Sequence, residues 1–143
     1  MKMERFSFTM SEGWKNLNQA RELDSSQTLI LAFCSPTFRN NEKIFEQLKV
    51  YLPNSTVVGC STSGEIVGTE IHDLSLSFTI LKFEKACFKV VEMAIENSQQ
   101  SSAIGCRIGE LLNSPNLKGI ILLSDGLTTN GSALASGINS KIP

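Results

Sequence analysis

The chain has 143 residues, enough for one domain with a core of its own. Hydrophobic residues make up 41% and charged residues 19%, ordinary for a soluble globular protein, and the net charge is −1. Nucleic-acid binding, which leaves a basic patch, finds no support here, and no apolar run approaches the about 20 residues that cross a bilayer.

The start, Met1-Lys2-Met3-Glu4-Arg5 followed by Phe6-Ser7-Phe8, lacks the apolar run of a secretory leader, so the expected compartment is the cytoplasm. Cys34, Cys60, Cys87 and Cys106 are widely spaced with no CxxC, which suits reduced, mostly buried thiols. Together with a single histidine they lack zinc-ligand spacing, and no metal site is expected.

Arg5–Phe8 alternates and predicts a first strand. Thr9-x-x-Glu12 forms a capping box, predicting a helix that carries Trp14 and Leu17 inward and ends near Asp24. Thr28–Cys34 (TLILAFC) is a buried strand. Asn41 caps a second helix with Ile44, Phe45, Leu48, Tyr51 and Leu52 at helical spacing, stopped by Pro53. Thr56–Cys60 (TVVGC) is the next strand. The order strand, helix, strand, helix, strand predicts right-handed crossovers and parallel pairing.

Leu74–Ile80 then alternates apolar residues with Ser75, Ser77 and Thr79, a strand with one polar face. After a turn at Lys82–Lys85, Ala86–Ile95 reads as its antiparallel hairpin partner, which makes the sheet mixed. Ser101 or Ser102 caps a third helix, whose Gly105 and Gly109 allow close approach to the sheet. Gly119–Leu123 (GIILL) is a further strand, and Asn130 or Ser132 caps a last helix with Leu134 and Ile138. The fold class is α/β: a mixed, mainly parallel sheet flanked by helices, with an antiparallel hairpin insertion. It occupies residues 1–143 as one domain, and Pro143 stands where an αβ unit turns into its next strand, so the domain reads as cut at its carboxyl end.

Three of these apolar runs stop at small hydrogen-bonding residues: Cys34-Ser35-Pro36, Cys60-Ser61-Thr62-Ser63-Gly64-Glu65 and Ser124-Asp125-Gly126. Ligands of open α/β sheets bind beyond the carboxyl ends of the strands. The expected site therefore gathers Cys34, Ser35, Cys60, Ser61, Thr62, Ser63, Gly64, Glu65, Ser124, Asp125 and Gly126 in one crevice.

Val57–Ile66 (VVGCSTSGEI) and Ile121–Gly131 (ILLSDGLTTNG), with Leu31–Pro36 (LAFCSP) upstream, resemble the amino-terminal part of FIST domains, named for F-box and intracellular signal transduction proteins. The resemblance runs from about Trp14 to the end. It implies a sensory, non-catalytic module for small ligands, amino acids above all. It also implies a carboxyl-terminal half and a signalling output outside this sequence. Some members bind haem and respond to nitric oxide; here His72 is the only imidazole to hold one.

The residues suit an amino acid. Ser61, Thr62, Ser63 and the Gly64 amide form a donor-rich turn for a carboxylate, with Gly64 letting backbone come close, and the amides after Asn130 add to it. Glu65 and Asp125 are the partners for an ammonium. Ser-Asp-Gly is equally a turn signature in which Asp125 bonds its own backbone.

Three alternatives stay open. Gly59-Cys60-Ser61-Thr62-Ser63 is close to a nucleophile elbow, but Ser63 stands where that motif needs glycine, and a hydrolase using Ser61 or Ser63 would have to draw on His72 as base. Cys34 and Cys60 end neighbouring strands and form either a redox pair or two packed thiols. Haem on His72 is the third. Walker A and GxGxxG strings are absent.

Overall fold

The computed structural model describes residues 1–39, 41–67 and 69–143. The chain divides into two compact units, Met1–Cys87 and Phe88–Pro143. The class is α/β, with a mixed five-stranded sheet, a separate two-stranded pair and, among the described residues, four α-helices.

The first unit holds the sheet. Its strands are β1 (Lys2–Thr9), β2 (Gly13–Lys15), β3 (Thr28–Cys34), β4 (Thr56–Ser61) and β7 (Ser75–Lys82), in the order β2-β1-β7-β3-β4. Only β3 and β4 pair in parallel; β1–β2, β1–β7 and β3–β7 are antiparallel. The sheet is thus mostly antiparallel, which corrects the expectation of a mainly parallel one. The alternating strand is the cause. β7 inserts between β1 and β3 and offers its polar residues to the opposite face, with Ser77 facing Ser7. A strand with one polar face suits antiparallel neighbours.

The sequence Phe6, Phe8, Ile30, Ala32, Leu76, Phe78 and Ile80 lies on one face of this sheet by register and period two. That face is covered by α1 (Leu17–Ala20), by Leu23 and Phe38, and by α2 (Glu42–Tyr51) through Ile44 and Leu48, with Leu52 just beyond it. Phe6 and Phe78 stack with ring centroids 4.8 Å apart. Each such fully buried side chain contributes about 1.5–3 kcal/mol.

The capping box does not start a helix. Thr9 Oγ1 accepts the Glu12 N–H at 3.1 Å, but the next residue, Gly13, has φ +70° and turns the chain back into β2. Trp14 then lies opposite Phe8 and joins the aromatic core. Only the short α1 and a 3-10 turn at Arg21–Leu23 remain of the predicted helix. The helix α2 follows Asn41 as expected, although the Asn41 side chain caps nothing.

β5 (Glu65–Val67) and β6 (Glu70–His72) pair antiparallel as a ladder of their own. The residue before β7, Leu74, is held at φ +56°, a conformation that L-residues with bulky side chains rarely adopt.

The second unit contains α3 (Ser101–Leu112) and α4 (Gly131–Asn139). The predicted strands Ala86–Ile95 and Gly119–Leu123 enter no ladder, and the expected hairpin between Leu74–Ile80 and Ala86–Ile95 does not form. Within the unit these segments are held by apolar contact: Val91, Met93 and Ile120 pack on the cluster of Ile108, Leu134 and Ile138. Gly105 approaches α4, correcting the expectation that it faces the sheet. A Cβ on Gly105 would come within 2.2 Å of the Leu134 carbonyl oxygen, and one on Gly137 within 2.4 Å of that of Ser102. Asn130 is the cap of α4, its Oδ1 accepting the Ala133 N–H at 3.0 Å. Ser101 is not a cap: it is buried, and its Oγ accepts the N–H of Asn130.

Candidate functional site

At the carboxyl end of the β3–β4 pair the chain builds a compact polar knot. The parallel register sets Cys34 beside Ser61, and the strands stay in close approach because residue 59 has no side chain: a Cβ there would lie 2.0 Å from the Ala32 carbonyl oxygen. Past the ladder, the Thr62 N–H donates to the Cys34 carbonyl at 2.8 Å, and the Ser35 N–H donates to the Ser75 carbonyl at 3.1 Å. Three strand ends are thereby tied together: β3, β4 and the start of β7.

Glu65 sits at the centre. It is 2% exposed. Its Oε1 accepts from the Thr62 hydroxyl at 2.7 Å, and its Oε2 accepts from the Ser75 hydroxyl at 2.9 Å and the Ser75 N–H at 3.3 Å. All three donors are neutral, and among the described residues no Lys, Arg or His forms an ion pair with it. Burying a carboxylate without a counter-charge is costly unless hydrogen bonds satisfy it, and here they do. Ser75 is the residue that sequence reasoning missed. Its signal was available in its place at the head of a strand whose polar residues alternate, but that pattern reads as a solvent face, and Ser75 is fully buried.

The neighbouring thiol feels this charge. Burial pushes the Cys34 pKa up, and the Glu65 carboxylate and Cys60 add to the shift in that order. Cys34 Sγ lies 4.0 Å from the Cys60 carbonyl oxygen. Since Cys34 pairs with Ser61 and Phe33 with Cys60, the two thiols project from opposite faces of the sheet, and both are free. This geometry favours two separate thiols over a redox pair, because a disulfide needs converging Cβ vectors.

The remaining loop residues are more open. Ser61, Ser63 and Gly64 are exposed and Thr62 is half-buried. A Cβ on Gly64 would meet only ordinary contacts, at 3.7 Å from Asp73 Oδ1, so no close approach demands glycine there. Ser35 is buried and its Oγ accepts the Thr37 N–H, capping a 3-10 turn at Pro36–Phe38.

One comparison bears on this arrangement. The model of the FIST N domain matches residues 28–143. The chain belongs to the FIST N domain family. This is a family of signalling and sensory domains. Neither a curated protein nor a solved structure matches the chain. In this FIST N domain the match begins at Thr28, the first residue of β3, and includes every residue of the knot.

Ser124, Asp125 and Gly126 belong to the second unit and are exposed. Asp125 Oδ1 accepts the N–H groups of Thr128 and Leu127, which hold its carboxyl below the usual range, the Thr128 bond more than the Leu127 bond. This is the turn chemistry that Ser-Asp-Gly allows.

His72 sits on β6, where its Nε2 meets Glu70 Oε2 at 3.1 Å. No hydrogen bond joins it to Ser61 or Ser63 among the described residues, so the base that a hydrolase would need is not aimed at either serine. The residues do not fit a haem either. A porphyrin needs an apolar cleft around its ligand, and the imidazole here lies against a carboxylate on a largely exposed two-stranded pair. No helix among the described residues is long and apolar enough to cross a membrane.

Proposed function

We propose that this FIST N domain is a non-catalytic sensor of a small polar ligand, an amino acid or a close analogue, read at the carboxyl end of the β3–β4 pair. The observation that carries the proposal is the buried Glu65 carboxylate, satisfied by neutral donors alone. An ammonium group gives such a carboxylate the counter-charge it lacks, and a charge-assisted bond is roughly twice as strong as a neutral one.

The knot then works as a latch with two states. Without ligand, Glu65 is closed onto Thr62 and Ser75. With ligand, the ammonium takes over the Glu65 oxygen that Thr62 held. The freed Thr62 hydroxyl, with Ser61, Ser63 and the Gly64 amide, turns to the ligand carboxylate. Cys34, Ser35 and Cys60 form the fixed floor at the strand ends. Because Glu65 opens β5, a change in its partners moves the β5–β6 pair, and that movement is the signal passed on. The ligand shifts the balance by the difference in its affinity for the two states. Leu74, strained and next to Ser75, is placed where the closed state stores strain.

Thermal melting against the free amino acids tests this. A ligand at a hundred times its Kd adds about 2.7 kcal/mol of stability. A shift with one member, absent for its desamino analogue, is the expected result. No shift with any member overturns the reading.

A further inference from the structure

We propose that the cleft between the β2–α1 corner and the last turn of α2 is a second binding site, for a neutral polyhydroxyl ligand such as a saccharide ring. This cleft measures about 440 Å³ and is lined by Trp14, Asn16, Leu17, Asn18, Gln19 and Tyr51. Its volume falls in the range of about 300–1,000 Å³ typical of small-ligand clefts.

Its chemistry is different from that of the knot. No lining side chain is charged, and Lys15 beside it is paired with Glu12 at 2.6 Å. An amino acid would find no counter-charge here. Three carboxamides and the Tyr51 hydroxyl instead accompany the rings of Trp14 and Tyr51. A carboxamide offers a donor and an acceptor side by side, which matches two neighbouring hydroxyls. An aromatic face takes the apolar C–H face of a sugar ring.

The polar groups are unspent. Asn16 stands at the start of α1, where asparagine is a preferred cap, yet its side chain makes no capping bond. Among the described residues the side chains of Asn16, Asn18 and Gln19, all three exposed to water, and the hydroxyl of the half-buried Tyr51 have no hydrogen-bond partner in the chain. The walls, by contrast, are fixed. Trp14 Nε1 donates to Gln47 Oε1 at 2.8 Å, and the indole packs against Phe8 at 5.2 Å and Phe78 at 5.4 Å. Tyr51 packs on the same core. Asn16 is held at φ +63°, a backbone region that asparagine enters more readily than most residues. Rigid aromatic walls lower the ordering cost of binding, which then falls on the carboxamides alone.

Trp14 is the only tryptophan, so the site carries its own reporter. The test is titration of Trp14 emission in the full chain with glucose, galactose, N-acetylglucosamine and maltose into the millimolar range. At least one sugar is expected to give a saturable change. Its affinity should fall about tenfold in Asn18→Ala, with circular dichroism and melting temperature unchanged. In Glu65→Gln the sugar response should persist, which separates this site from the amino-acid latch. The proposal is overturned if every sugar gives no change or one linear in concentration, or if Asn18→Ala and Gln19→Ala together leave the affinity intact.

Discussion

Glu65 and Ser75 are ten residues apart and each is of little use without the other. Ser75→Ala removes a buried hydroxyl that donates to a carboxylate, and such bonds are worth about 1.5–3 kcal/mol. Chemical denaturation should show a loss of that size, and a loss within error would mean that the bond is not made. Cys34 gives a second readout of the same charge. Its thiol pKa is raised by burial and then by Glu65. The thiolate is the reactive form, so alkylation of Cys34 should have its midpoint at higher pH than an exposed thiol. Glu65→Gln removes one raising cause, so the midpoint should move down and the rate at a fixed mildly alkaline pH should rise. A midpoint unmoved or moved up would contradict the placement of that carboxylate. The Ser61-Thr62-Ser63-Gly64-Glu65 string was legible as a polar loop after a buried strand, but the direction of Glu65 was not. Glu65 reads as an open partner for an ammonium in the crevice, and only the fold shows the Ser75 hydroxyl and N–H that bury it.

Elements were legible where one pattern served one purpose. TLILAFC and TVVGC became β3 and β4, and the spacing of Ile44 and Leu48 became α2. Three elements were misread because local chemistry was shared between structures. Thr9-x-x-Glu12 caps a turn as readily as a helix, and the positive φ of Gly13 decided for the turn. Ala86–Ile95 and GIILL alternate or cluster like strands, yet alternation records only that one side is buried, and α3 and α4 supply that burial without a ladder. The glycines of α3 illustrate the same limit: their need for close approach was readable, their partner was not. Gly105→Ala would drive a methyl into the Leu134 carbonyl at 2.2 Å, whereas Gly64→Ala meets nothing closer than 3.7 Å. Overpacking of that kind costs about 1–3 kcal/mol, set against about 1 kcal/mol gained in helix propensity. Melting curves should show Gly105→Ala clearly destabilised and Gly64→Ala close to wild type. Equal stabilities would contradict the backbone-to-backbone packing of α3 and α4.

In the whole molecule the two units are built differently. Met1–Cys87 carries a hydrogen-bonded sheet with a large apolar face, whereas Phe88–Pro143 rests on three buried apolar side chains, Ile108, Leu134 and Ile138, and on helix packing. Local opening follows the density of buried contacts and paired backbone. Hydrogen exchange should therefore protect the amides of Thr28–Cys34 far longer than those of Gly119–Leu123, and equal protection would show that the latter segment is paired in solution. The order of the sheet was hidden for a topological reason. Counting strands and helices along the chain gives the parallel β3–α2–β4 crossover, but nothing in the local pattern of β7 says that it inserts between β1 and β3. The knot at Glu65 is a product of that insertion, since Ser75 is the first residue of β7. The most direct test of the sensor is calorimetric titration of the full chain with the amino acid that raises its melting temperature most, run in parallel on Glu65→Gln. Saturable binding to the wild type and a loss of at least tenfold in affinity in the variant are expected of the sensor. Equal affinity in the two proteins would contradict it.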